Sequence, residues 1–156
     1  MNNLSNGAKG GTFCFSKAGL AIGSTHAEIA IAAPNGAGVD FSIDGILYHL
    51  ADDATVAITA AAVQAVLTTC LYLVQLNSSG TLSTVKGTEV TTLALAAGNA
   101  VLKIPEPTAN NCPIGFLKVV CASTATFTAA TTDLDASDVT TTYQDIMTLP
   151  PQPRAS

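Results

Sequence analysis

Charge is what this chain has least of. Asp, Glu, Lys and Arg make up 11% of its 156 residues, against about 25% in an ordinary globular domain. The six basic residues, Lys9, Lys17, Lys86, Lys103, Lys118 and Arg154, stand far apart. Nucleic-acid affinity comes mainly from grouped cations neutralising phosphates, so nucleic acid is excluded as a partner. Trp is absent and aromatics reach only 5%. Sugar sites want exposed aromatic platforms, so a carbohydrate-binding sandwich is disfavoured. The first residues, Met-Asn-Asn-Leu-Ser-Asn-Gly, hold neither a basic start nor an apolar block. No secretory signal is expected, and synthesis in the cytoplasm with reduced thiols follows from that.

Catalytic and cofactor signatures are missing as well. There is no G-x-S-x-G elbow. Gly36-Ala37-Gly38 runs into Val39 and Asp40, not into the Lys-Ser/Thr of a phosphate loop. Cys14, Cys70, Cys112 and Cys121 form no C-x-x-C, and His26 and His49 lie far from them in sequence, which is not zinc spacing. His49 falls on the face of a strand opposite Ile46 and Leu50, which points it to solvent. Asp52 and Asp53, being adjacent, point in different directions and read as a turn, not an acid pair. Asp133-Leu-Asp-Ala-Ser-Asp138 resembles the start of a calcium loop. It has Asp138 where the sixth position needs Gly, and Gln144 where the twelfth needs Glu. A solvated loop is expected there. Neither an enzyme nor a cofactor or metal site is expected.

Residues 54–85 carry no charge at all, a length that could span a bilayer. The stretch is rich in Ala and Thr, interrupted by Gln64, Gln75 and Asn77, and lacks basic anchors. A membrane span is therefore not expected.

What is present is β-pattern and turn chemistry. Phe41 and Ile43 alternate with polar residues, Asp44-Gly45 follows, and Ile46, Tyr48 and Leu50 alternate after it. This pattern predicts a hairpin with a type I′ turn. Residues 70–76 and 81–86 flank Asn77-Ser-Ser-Gly80 and predict a second hairpin. Residues 59–67 fit either two helical turns capped by Thr59 or a crossing loop. Further strands are expected at 27–31, 115–122 and 139–146. Cys70 and Cys121 sit in apolar runs and are expected to be buried. Cys112 and Cys121 flank an extended strand that holds them too far apart to bond, and all four thiols are expected to be free. The fold class expected is mainly β: a small antiparallel sandwich or barrel, jelly-roll-like or β-tulip-like, with little helix.

Residues 1–24 read as an extended N-terminal arm, loosened by Gly7, Gly10, Gly11, Gly19 and Gly23, ahead of a single β domain at 25–156. Phe13 with Phe15, and Leu20 with Ile22, would each share a strand face. These four residues are the expected partner-binding set. On this view a chain lacking residues 2–22 still folds.

Three pieces together resemble a known group: Phe41-Ser-Ile-Asp-Gly-Ile-Leu-Tyr48; Leu71-Tyr-Leu-Val-Gln-Leu-Asn-Ser-Ser-Gly80; and Pro105-Glu-Pro followed by Cys112-Pro-Ile-Gly-Phe-Leu-Lys-Val119, Ala125-Thr-Phe-Thr128 and Thr131-Thr-Asp-Leu134. Their order is similar to that in small structural proteins of tailed bacteriophages, the capsid decoration (cement) and head-fibre proteins. The likeness runs from Ala18 to Tyr143. It implies a virion protein bound to the major capsid protein on the outer head surface, as a trimer that locks neighbouring capsomers. The alternative it implies is a trimeric fibre segment used in host attachment. Sparse charge fits either role, because an Ala/Thr-rich surface suits contact with other subunits.

Overall fold

Asp44 and Gly45 both take positive φ, 52° and 83°, as a two-residue type I′ turn demands. They join β4 (Val39–Ile43) to β5 (Ile46–Leu50), with Ile43 opposite Ile46. The computed structural model describes residues 11–149. It is mainly β, in three antiparallel sheets with no closed barrel, and the arrangement is sandwich-like.

The first sheet has the order β1-β4-β5, with β1 (Phe13–Cys14) paired to β4. The second runs β2 (Leu20–Ile22), β3 (Ile29–Ile31), β6 (Asp53–Val56). The third and largest has β7 (Thr68–Asn77) and β10 (Asn111–Cys121) at its centre. β8 (Leu82–Lys86) and β9 (Val90–Thr91) pair with β7, and β11 (Val139–Asp145) pairs with β10. The β7–β8 hairpin closes through Asn77, whose Oδ1 accepts from the backbone N–H of Ser79 and Thr81 at 2.9 Å.

β7 is buried along nearly its whole length, so it reads as a continuous apolar run, without alternation. Cys70, Tyr72, Val74 and Leu76 face the main core with Ile29, Ile31, Val39 and Phe41. Leu71 and Leu73 face the other side, where Ile104 and partly buried Leu102, Phe116 and Leu149 cover them. On β10 a bulge between Pro113 and Gly115 shifts the register. Cys112 before it, Ile114 within it, and Leu117, Val119 and Cys121 after it therefore reach the same core. Pro113 costs little in this strand, because β11 pairs only from Gly115 onward and leaves that end of β10 one-sided.

Residues 57–67 contain no helix. Thr59 instead exchanges hydrogen bonds with Thr84: each backbone N–H donates to the other's hydroxyl, at 3.0 and 2.9 Å. Gln64 is fully buried; its amide donates to the carbonyls of Thr68 and Val119, and its oxygen accepts from Tyr72 OH. These bonds hold an extended strap across the sheet. Among the described residues the helix is α1 (Thr92–Ala96), with Thr91 as N-cap. The capping signal read at Thr59 is local, and long-range bonds override it there; the helix at Thr92–Ala96 was not foreseen.

The arm expected at residues 1–24 needs correction over its described part. β1 and β2 are strands of the sheets, and Cys14, Ala18 and Leu20 are core residues. Gly19 does not loosen the chain. It sits at φ 63°, and a Cβ there would lie 2.0 Å from the Ala32 carbonyl oxygen, so only glycine permits this crossing. Residues 1–10 lie outside the described part.

Candidate docking surface

The four expected partner-binding residues do not form one site. Leu20 is spent on its own core: it is buried, pairs with Ile31, and lies against Gly115. Ile22 is partly buried and lines an open depression of about 340 Å³ with Leu134, Asp135, Val139 and Tyr143. Burial, with Asp135 nearby, pushes the Tyr143 phenol up to about 12. Phe13 and Phe15 do stay together, with ring centroids 4.7 Å apart.

Phe15 is 46% exposed and has company that the arm reading did not foresee. Leu47, 70% exposed, joins it with Asp40 and Tyr48 around a second open depression of about 320 Å³. Ile46, 60% exposed, follows at the hairpin tip. The hairpin alternation sends Tyr48 inward to stack on buried Phe41, centroids 5.6 Å apart, which leaves Leu47 pointing out. β5 is also the terminal strand of its sheet. Among the described residues its outer edge has no partner strand, so unpaired backbone groups and apolar side chains coincide there. A sequence-level signal existed: Leu47 sits out of phase in an otherwise alternating hairpin.

The polar groups make a different picture. His49 is exposed, as expected, and its Nδ1 lies 2.8 Å from Asp40 Oδ1. Asp52 accepts from Ala33 N–H, and Asp53 from Thr55 N–H; the two carboxylates serve separate turns. Lys86 and Glu89 form a 2.6 Å ion pair that also fastens the 57–67 strap. Lys86 Nζ donates to the Ala62 carbonyl at 2.7 Å, and Glu89 accepts from Ala65 N–H at 3.0 Å.

Among the described residues, one group of side chains could hold a metal ion. His26, Asp133 and Asp135 place their ligand atoms within 4.8 Å of one another. The loop is set by Leu134, which is buried and donates its N–H to the His26 carbonyl at 2.8 Å. One imidazole and two carboxylates suit a borderline divalent ion better than Ca²⁺, which takes oxygen ligands only. All three residues are exposed, and His26 Nδ1 already lies 2.9 Å from Asp135 Oδ1. Sequence spacing did not point to this trio, since His26 and Asp135 are 109 positions apart.

The four cysteines are free and buried. Burial pushes the Cys70 thiol up to about 11, which makes it a poor nucleophile at neutral pH. Compared with known proteins, the chain matches no family model, no curated protein and no solved structure.

Proposed function

We propose that this chain is a bacteriophage capsid decoration protein, a structural and non-enzymatic homo-oligomer. Its copies seat on the outer face of the shell built by the major capsid protein. A trimer is the oligomer the resemblance implies. The observation that carries the reading is the exposed apolar patch that runs from Phe15, beside β1, to Leu47 and Ile46 on β5, whose outer edge has no partner strand among the described residues. A solvated domain gains nothing from such an edge and risks aggregation; a subunit seated on another protein buries it. Burial of each side chain contributes about 1.5–3 kcal/mol. Three of them, less the cost of association, give one weak contact per copy. Many copies acting together on an ordered shell convert weak contacts into stable coating.

The test is co-sedimentation of purified protein with heads that lack it. Leu47→Asp is expected to weaken binding about 10- to 100-fold, the loss of one buried leucine. Its thermal stability should stay within about 0.5 kcal/mol, because an exposed side chain holds up nothing else. Undiminished coating by Leu47→Asp would remove β5 from the interface.

A further inference from the structure

Two of the buried cysteines are not independent. Cys14 on β1 and Cys112 on β10 are 98 positions apart in sequence, yet their Sγ atoms lie 3.7 Å apart. Both are almost completely buried, and both point at the carbonyl oxygen of Pro113, at 3.6 and 3.7 Å. Cys70 is placed differently, with its Sγ 3.3 Å from the Gly87 carbonyl. We propose that Cys14 and Cys112 are a latent disulfide, closed when the protein meets a low-molecular-weight disulfide oxidant and reopened by a dithiol.

Contact of the two sulfurs requires a further approach of under ~2 Å to reach the S–S bond length of about 2.05 Å. Rotation about χ1 and a small shift of β1 can supply it. β1 is two residues long and lies at the edge of its sheet; Phe13–Ser42 and Cys14–Phe41 pair it with β4, and bonds from Phe15 N–H to the Asp40 carbonyl, from Asp40 N–H to the Ser16 hydroxyl and from Asp44 N–H to the Thr12 hydroxyl hold its flanks. One backbone bond from Cys14 N–H to the Met147 carbonyl also holds it. Short edge elements open locally far more often than the whole domain unfolds, and this opening brings Cys14 to solvent.

The chemistry is a pair of thiol–disulfide exchanges. With oxidised glutathione, one cysteine gives up its proton to solvent and attacks a glutathione sulfur. A mixed disulfide forms and one glutathione thiol leaves. The second cysteine, also deprotonated, attacks the protein-side sulfur and expels the second glutathione thiol. Two protein thiols lose two electrons and two protons, and one glutathione disulfide becomes two thiols. Closed, the link ties the N-terminal strand to the centre of the largest sheet and closes a loop across β1 to β9. In the reduced protein with β1 in place, Cys14 reacts slowly: its hydrogen bond with Cys112, and burial, hold its thiol far above the ordinary value. The state made in a reducing compartment therefore persists until an oxidant is supplied for long enough.

The inference does not depend on what the protein docks onto. The experiment incubates the folded full chain with oxidised glutathione, followed by intact mass, peptide mapping and thermal unfolding. The expected result is loss of two hydrogen atoms, a single Cys14–Cys112 cross-linked peptide, and a Tm rise on the order of 10 °C that dithiothreitol reverses. The variant Cys70→Ala with Cys121→Ala should behave identically, and Cys112→Ala should give neither link nor shift. If Cys112→Ala fails to fold, the peptide map of the unaltered chain decides. Stable glutathione adducts, a link through Cys70 or Cys121, no reaction, or a link that lowers Tm would each overturn the proposal.

Discussion

At the residue scale, the Lys86–Glu89 pair is the charged contact most tied to the fold. Burial disfavours the Glu89 carboxylate, but bonds from Lys86, Ala65 N–H and Thr68 outweigh it and hold the carboxyl below its ordinary value. The unfolded chain therefore takes up this proton first as pH falls. Stability from Glu89 is complete above the ordinary carboxylate range and is lost as pH drops through the folded value. Glu89→Gln should destabilise the protein by about 1–3 kcal/mol near neutral pH, the cost of a charge-assisted bond left half-made. Thermal unfolding of both proteins at about pH 6 and about pH 3 checks this, and the gap between them should shrink at the acid end. An equal gap at both values would show that Glu89 acts through packing, not charge. None of this was legible in the sequence, where Lys86 and Glu89 are two scattered charges. Their value comes from the strap they fasten, which is 23 to 24 positions away.

At the scale of elements, what could be read depended on how local the cause was. The Asp44-Gly45 and Asn77–Gly80 hairpins were legible because the residues that need positive φ, or that cap a turn, sit inside the turn itself. β10 was only partly legible, because its bulge switches the inward-facing parity at Gly115 and hides the alternation. The N-terminal segment was misread for a related reason. Gly19 and its neighbours look loose until β3 and β4 are placed beside them. The consequence is testable. Removing residues 2–22 takes Cys14, Ala18 and Leu20 from the core, so the truncated chain should lose its cooperative thermal transition. Deleting one large core side chain alone costs about 2–5 kcal/mol, a substantial part of a domain's usual 5–15 kcal/mol. A truncated chain that unfolds cooperatively near the parent Tm would restore the arm reading.

At the scale of the whole molecule, sparse charge and an exposed apolar edge belong together. With a net charge of −5 spread thinly over 156 residues, little electrostatic repulsion opposes contact between copies or with another surface. The mainly β class was legible from turn spacing alone. The exposed apolar patch was legible through Phe13 and Phe15 and, unread, through Leu47 standing out of phase in its hairpin; Ile46 and Leu47 joined them once the hairpin was seen to be a free edge. The role proposed for that edge is tested most directly by imaging phage particles that carry a labelled copy of this chain. Coating of the outer shell predicts label distributed over the whole head. Label confined to one vertex or to the tail, or particles bearing none, would contradict the account.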